Sequence, residues 1–284
     1  VRVLLLGAGG MLGHDLLAMA PEGVEIVPLA HRDLDITDHA AVERRVREVK
    51  PDVILNAAAY TAVDRAEAEP EFAMKVNGEA VGHLGRVARA TRARVVHFST
   101  DYVFDGTADR PYREDDTPHP VNAYGASKLA GEIALRASGA EVLIIRTQWL
   151  FGAQGRSFPR TMWERACRRE RARVVNDQFG RPTYTLDLAN ATWQLVERGI
   201  TGLVHAANRG VATWFEVARE VFRNAGSPDL VEPCITSEYP TAARRPRYSV
   251  LDCTRYEALV SSPLPHWSDA LGRFLTRLAE VPSA

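Results

Sequence analysis

The sequence predicts an α/β fold, a doubly wound parallel sheet with a smaller C-terminal substrate-binding domain, and three observations carry that reading. Residues 1–6 form an apolar run of the kind buried on both faces of a parallel sheet, and it opens at once into a glycine turn and a helical pattern. Apolar runs of strand length then alternate with helical patterns as far as residue 148. Beyond residue 150 the alternation loosens, and Pro233, Pro240, Pro246 and Pro263 break the remainder. At 284 residues, 46% hydrophobic, the chain is long enough for a full α/β domain and an appendage. The expected division is 1–148 with 185–212 for a dinucleotide-binding (Rossmann-type) domain, and 149–184 with 213–284 for the substrate domain.

Taken in order, the first strand leads into Gly7-Ala-Gly-Gly-Met-Leu-Gly13, with glycines at 7, 10 and 13. Glycines there let the backbone turn tightly and approach a pyrophosphate, which the N–H groups opening the helix, at Met11 and Leu12, can meet. Residues 24–29 read as the second strand. It ends in Ala30-His31-Arg32 rather than in an acid, and an arginine can accept a 2′-phosphate where an acid would repel it, which points to NADPH, with NADH left open. Asp33 and Asp35 lie close by, and Asp35-Ile36 are assigned to the adenine. Residues 38–50 read as a helix and 51–56 as a third strand. Beyond it Ala57, Ala58 and Ala59 are small enough for a flat ring system to come close to the backbone. Thr61, Val63 and Asp64 read as a loop, and residues 70–89 as one long helix that contains Asn77, either a local hydrogen bonder or a residue ordering the site.

The stretch 95–128 organises the chain. It reads as a buried strand (95–98), a polar strand end (Ser99, Thr100, Asp101), an acidic loop, and a helix opening near Asn122 on which Tyr124 and Lys128 share a face. An ammonium beside a phenol favours the phenolate, so such a tyrosine can give a proton to a developing alkoxide and recover it from water. Ser99 or Thr100 could hydrogen-bond the same oxygen. Chance placement of 8 Tyr and three Lys among 284 residues gives only ~0.08 such pairs. Of 35 basic residues, three (Lys50, Lys75 and Lys128) are lysines. A chain that otherwise uses arginine has placed a compact point charge at 128.

After this stretch, residues 141–145 read as a strand ending at Trp149, 158–170 as an arginine-rich helix and 173–175 as a short strand. Residues 187–198 and 203–206 read as a helix and strand rejoining the first layer, with further helices at 213–224 and 267–278. The arginines of 165–173 are read as a solvated helix face.

Composition removes several function classes. A net charge of −1 gives no reason to expect nucleic acid or an acidic membrane surface as partner. No apolar run approaches the ~20 residues of a membrane span. The opening run is too short for a signal-peptide core, and Cys167, Cys234 and Cys253 have neither disulfide-framework nor metal spacing, so reduced thiols in a cytoplasmic protein are expected. The 8 His are scattered and no GxSxG occurs, so no metal site or serine nucleophile is expected.

With GxxGxxG, Asn56-Ala-Ala-Ala, Ser99-Thr-Asp-Tyr-Val-Phe and Tyr124-x-x-x-Lys128 in this order, the chain resembles the extended short-chain dehydrogenase/reductases, and within them those that reduce 4-keto nucleotide sugars. The segments RTQWLFG (146–152), VNDQFGRPT (175–183) and YPTAARRP (239–246) extend the likeness into the substrate half. The resemblance implies Thr100, Tyr124 and Lys128 as the catalytic trio, with Tyr124 and Lys128 also touching the cofactor. It implies that Thr61, Val63, Thr100, Asp101, Tyr102 and Trp149 face a nucleotide-sugar substrate; Arg244 or Arg245 is expected at its diphosphate. Some relatives form a metal-bridged homodimer, but Asp15 stands where they often have Glu and Leu186 where some have a carboxylate. Two classes stay open: an NADPH-dependent reductase of a 4-keto sugar nucleotide, or a non-catalytic regulator similar to the beta regulatory subunit of methionine adenosyltransferase. Reduction or epimerisation of a different nucleotide sugar is a third.

Overall fold

In the computed structural model, which describes residues 1–280, the chain opens with β1 (Arg2–Leu6) and turns through glycines into α1 (Met11–Ala18). β2 (Glu25–Leu29), α2 (His39–Val49) and β3 (Val53–Asn56) follow, and Asp38 caps α2 by accepting a hydrogen bond from Ala41 N. Satisfying an orphan N–H in this way is why the helix starts there. The segment read as a loop is instead α3 (Val63–Ala68). Six residues are too few to show a helical period; α3 is held by the buried Ala66 and by an Arg65–Glu69 pair one turn apart.

The long helix expected over 70–89 is α4 (Pro70–Met74), a single π turn over Lys75–Glu79, and α5 (Ala80–Thr91). The π turn brings in Asn77, whose side chain bonds both Tyr60 N and Tyr60 O at 2.9 Å. β4 (Arg94–Thr100), α6 (Ala123–Ala137) and β5 (Val142–Thr147) complete this half; Asn122 opens α6 by accepting from Gly125 N at 2.7 Å.

The second half is built from shorter pieces: β6 (Leu150–Phe151), α7 (Phe158–Cys167), β7 (Ala172–Val175), β8 (Phe179–Gly180), β9 (Thr183–Tyr184), α8 (Thr185–Glu197), β10 (Gly202–His205), β11 (Ala212–Thr213), α9 (Trp214–Asn224), β12 (Val231–Cys234), α10 (Thr254–Val260) and α11 (Trp267–Glu280). β6, β8, β9, β11, β12 and α10 were not expected, because pieces of two to seven residues carry no usable period. α7 ends at Cys167, short of the expected 170, so the arginine run crosses a helix end instead of following one face.

Six parallel strands form one sheet in the order β2-β1-β3-β4-β5-β10. The connections reverse direction between β1 and β3, which makes a crevice at the carboxyl ends of those two strands. One face of the sheet packs its apolar side chains on α1, α8 and α10 (Leu12, Leu188, Trp193, Tyr256), the other on α2 and α5 (Val46, Leu84, Ala88). A separate cluster, Phe151, Met162, Val217, Phe222 and Phe274 among it, joins α7, α9 and α11. We keep the two-part division as a proposal, with α10 seated against the first core. Among the described residues no helix is long and apolar enough to cross a membrane.

α6 is tied to β5 by Arg146 and Glu132, both 2% exposed, through two hydrogen bonds of 2.9 and 2.7 Å. Removing one partner leaves a buried charge without its counterion, which costs about 3–5 kcal/mol. Glu132→Ala is therefore expected to lose stability on that order in urea unfolding, and a loss below about 1 kcal/mol would refute the pairing as a structural tie.

Candidate active site

The crevice between β1 and β3 holds a cleft of about 690 Å³. Gly7 bends the chain there with φ +78°, and a Cβ on it would lie 2.6 Å from Ala58 N. Gly13 packs beneath, where a Cβ would meet Gly7 O. No larger residue fits either place, so the backbone of the turn is left open to a ligand, the fit a pyrophosphate requires. Gly7, Gly10, Arg32, Asp35, Ile36, Ala57, Ala58 and Ala59, which the sequence assigns to a cofactor, are brought together along this cleft. Gly9, Ala30, His31, Leu34 and Val76 also line it and were missed.

Met11, Leu12 and Gly13 do not line it with their side chains. Leu12 is buried in the core, and Met11 packs towards Gly152, so these residues can offer a ligand only backbone groups. The orientation of the acids after β2 also resolves. Asp33 turns back to accept from Ala30 N at 2.9 Å, and Asp35 accepts from Thr37 N and Oγ1, which holds its carboxyl below the usual range. Arg32, with its side chain 89% exposed, stands at the cleft rim.

At the end of β4, Thr100 Oγ1 donates to Asp101 Oδ1 and accepts from Tyr102 N, both at 3.1 Å. Asp101 is buried, and burial pushes its carboxyl up to about 7 even though Ser249 Oγ donates to it at 2.5 Å. Tyr124 sits in the first turn of α6, edge-on to Tyr102 with ring centres 5.9 Å apart. Burial, and then the Asp101 charge, raise the Tyr124 phenol above its ordinary value, while the Thr100 hydroxyl acts against them. Ser99, the alternative hydroxyl, is buried without a partner, and of the two it is Thr100 that acts on this phenol.

The expectation that Lys128 depresses the Tyr124 phenol is corrected. Lys128 Nζ donates instead to Phe98 O at 2.6 Å and lies 3.3 Å from His97 Nε2. Burial lowers its ammonium to about 8, against the pull of Glu132. Asn77 orders the site: its amide holds both backbone groups of Tyr60, beyond the cleft-lining alanines, and donates to Ser127 Oγ, which donates in turn to Tyr124 O.

On the other side of Tyr124, Arg245 grips Asp64 at 2.7 and 3.0 Å across 181 residues of sequence. Arg245 also lines a second cavity, of about 390 Å³, with Phe158, Arg165, Arg173, Trp214 and Tyr239 among its other walls. The arginine run read as a solvated face thus contributes Arg165 and Arg173 to a cavity. Trp149, at φ +49°, stacks on Trp214 with ring centres 3.7 Å apart, over Gly180, so it braces the cavity wall. Arg244 is exposed and enters only through its carbonyl, which accepts from Asn122 Nδ2 at 2.8 Å. Thr61 is exposed and Val63 half-buried at the start of α3.

Asp15 is buried and accepts from Thr185 Oγ1 at 2.5 Å, and Leu186 packs on the second core. Among the described residues no group of three or more His, Cys, Asp or Glu could hold a metal ion.

Comparison with known proteins gives a consistent family. The family described as RmlD substrate binding domain matches residues 1–280. A dTDP-4-dehydrorhamnose reductase from Streptomyces griseus is 44% identical over 282 residues, covering 95% of this chain and 91% of that relative. A dTDP-4-keto-6-deoxy-D-glucose reductase from Streptomyces niveus is 42% identical over 273 residues, covering 95% of each. A dTDP-4-dehydrorhamnose reductase from Bacillus anthracis, solved in complex with NADP, superposes with a TM-score of 0.94 at 36% identity, covering 97% of this chain and 98% of that one.

The raised Asp101 carboxyl makes a stability prediction. The folded protein holds this proton up to about pH 7, the unfolded chain only to the ordinary value of 3.8, so the folded state binds more protons between them. Stability must then fall as pH rises through that window, by at most about 4 kcal/mol from this group. Asp101→Asn is expected to flatten the decline in unfolding free energy between pH 4 and 7; an unchanged slope would exclude Asp101 as its source.

Proposed function

The chain belongs to the dTDP-4-dehydrorhamnose reductase family of the extended short-chain dehydrogenase/reductases, and from that premise we propose that it reduces the 4-keto group of dTDP-4-dehydro-L-rhamnose, giving dTDP-L-rhamnose. The observation that carries the reading is the convergence on Tyr124. Tyr124 opens the helix beside the end of β4, where the Thr100 hydroxyl acts on its phenol, and that helix is tied through Ser127 and Asn77 to Tyr60, the neighbour of the cleft-lining Ala59. The Tyr124 ring packs edge-on to Tyr102, whose phenol feels the charge of Arg245, and Arg245 lines the 390 Å³ cavity. A donor between a cofactor cleft and a substrate cavity is the arrangement a carbonyl reduction needs.

NADPH, when bound, supplies the hydride. The turn from Gly7 to Gly13 and the first N–H groups of α1 take its pyrophosphate, Arg32 its 2′-phosphate, and Ala57 to Ala59 keep the floor of the cleft low. Thr100 turns its hydroxyl proton from Asp101 Oδ1 to the substrate's keto oxygen, and Tyr124 delivers the proton as the alkoxide forms. Burial keeps this phenol protonated until substrate arrives but also makes it a weaker acid than a free tyrosine, so proton delivery requires that the bound complex lower it. Lys128 serves the cofactor side of the same helix face. Arg165, Arg173 and Arg245 suit the dTDP diphosphate, and Trp214 and Phe158 the thymine ring. The reductase reading is preferred to the regulatory one because the relatives named above at 42–44% identity are reductases and Thr100, Tyr124 and Lys128 are all present.

The assay follows oxidation of the reduced nicotinamide with dTDP-4-dehydro-L-rhamnose and, separately, with dTDP-4-keto-6-deoxy-D-glucose. Turnover of only the second would reassign the sugar. Tyr124→Phe keeps the ring and removes the proton, so kcat is expected to fall by ~10²–10⁴ while NADPH affinity barely changes. A variant near the wild-type rate would move the acid role elsewhere, with Asp101 next in line.

Cofactor choice is tested at Arg32. Losing one charge-assisted contact to the 2′-phosphate is expected to lower the NADPH/NADH ratio of kcat/KM about tenfold or more in Arg32→Ala. An unchanged ratio means that the cleft rim does not select the phosphate.

A further inference from the structure

His97 lies within β4 with no exposed surface, and both its ring nitrogens face polar groups. Nδ1 is 3.1 Å from Asn56 Nδ2, and Nε2 is 3.3 Å from Lys128 Nζ, which itself donates to Phe98 O. The Asn56 amide is oriented from its other end, because its Oδ1 accepts from Ala58 N at 3.2 Å. Asn56 therefore donates to Nδ1, which must be the bare nitrogen of a neutral imidazole, and the ring proton sits on Nε2, aimed at Lys128. An ammonium would meet that N–H with no lone pair on either side. A neutral amine accepts it and still donates to Phe98 O, so every polar group in this buried row is paired.

We propose that His97 is a positioning residue for the reductase chemistry: in the cofactor-free protein its Nε2–H holds Lys128 as a neutral amine, parked against β4. The proposal rests on the reading of Lys128 as part of the reductase site. A donor aimed at the amine acts in the same direction as burial, which already lowers Lys128. The imidazole cannot supply a charge instead, since burial alone, the larger of the causes acting on it, holds it below its ordinary value. The other titratable groups around Lys128 are Glu132, a turn further along α6 and closed by Arg146 of β5, and Tyr124, a turn back. The π turn brings up the uncharged Asn77.

The composition makes the test direct. Lys50 and Lys75 are exposed and Lys128 is buried, so lysine labelled with ¹³C at Cε gives three signals, of which one titrates apart. The expected result is a Lys128 titration that moves upward by about one pH unit in His97→Phe, which removes the donor and keeps the volume. The limb of the kcat/KM profile that belongs to Lys128 should move with it. A titration that stays or moves down overturns the proposal, because the ring would then be accepting from an ammonium. If His97→Phe does not fold, ¹⁵N-histidine spectra of the wild type decide alone: a proton on Nε2 of His97 supports the proposal and a proton on Nδ1 overturns it. The spectra need no turnover, so a failure of the reductase assay would leave this result standing.

Discussion

Everything in the first half of the molecule depends on one backbone contact, the approach of Gly7 to Ala57 and Ala58 where the order of the sheet reverses. Two strand ends can come that close only because position 7 lacks a Cβ and takes a positive φ, and because the residues facing it are alanines. The contact sets the height of the cleft floor. It also aims the start of α1 into the crevice, so that backbone N–H groups do work that would otherwise need charged side chains.

The carboxyl end of β4 is held from several directions at once. Thr100 is fixed by its neighbours Asp101 and Tyr102, Asp101 by Ser249, and the start of α6 by Asn122, which also holds the Arg244 carbonyl. This crowding explains why the phenol and the carboxyl are both pushed up while the lysine is pushed down: burial disfavours whichever form is charged. Groups whose ordinary titration ranges lie far from neutrality are shifted by one shared cause.

What could be read from the sequence was what is local. The glycines of the first turn and the helix start near Asn122 act within a few residues of themselves, and the alternation of runs reported the sheet. What escaped notice was set by distant partners. Lys128 was read against Tyr124, four residues away, while its amine lies against His97, 31 residues away. His97 stood inside an apolar strand run, and a polar side chain in a strand buried on both faces requires a partner, which was the available signal. Arg165 and Arg173 face a cavity because the helix stops at Cys167, a boundary that the run of arginines conceals. The strands of two to four residues in the second half, β7 and β10 apart, have no period to detect.

The strap formed by residues 243–249 has a consequence for how the molecule is put together. It reaches Asp64 across 181 residues and Asp101 across 148, so these are among the most widely separated contacts in the chain. A ribosome will have released the whole sheet before it releases Arg245 and Ser249, since β10 ends at residue 205. The cleft at Gly7 and Ala57 closes over a loop of about fifty residues, and the cost of loop closure rises only slowly, so entropy alone puts the two steps within about 1 kcal/mol. Their order is thus imposed by the direction of synthesis: the parts of the cleft emerge first, and the carboxyl at Asp101 receives its last hydrogen-bond partner only after Ser249 has emerged.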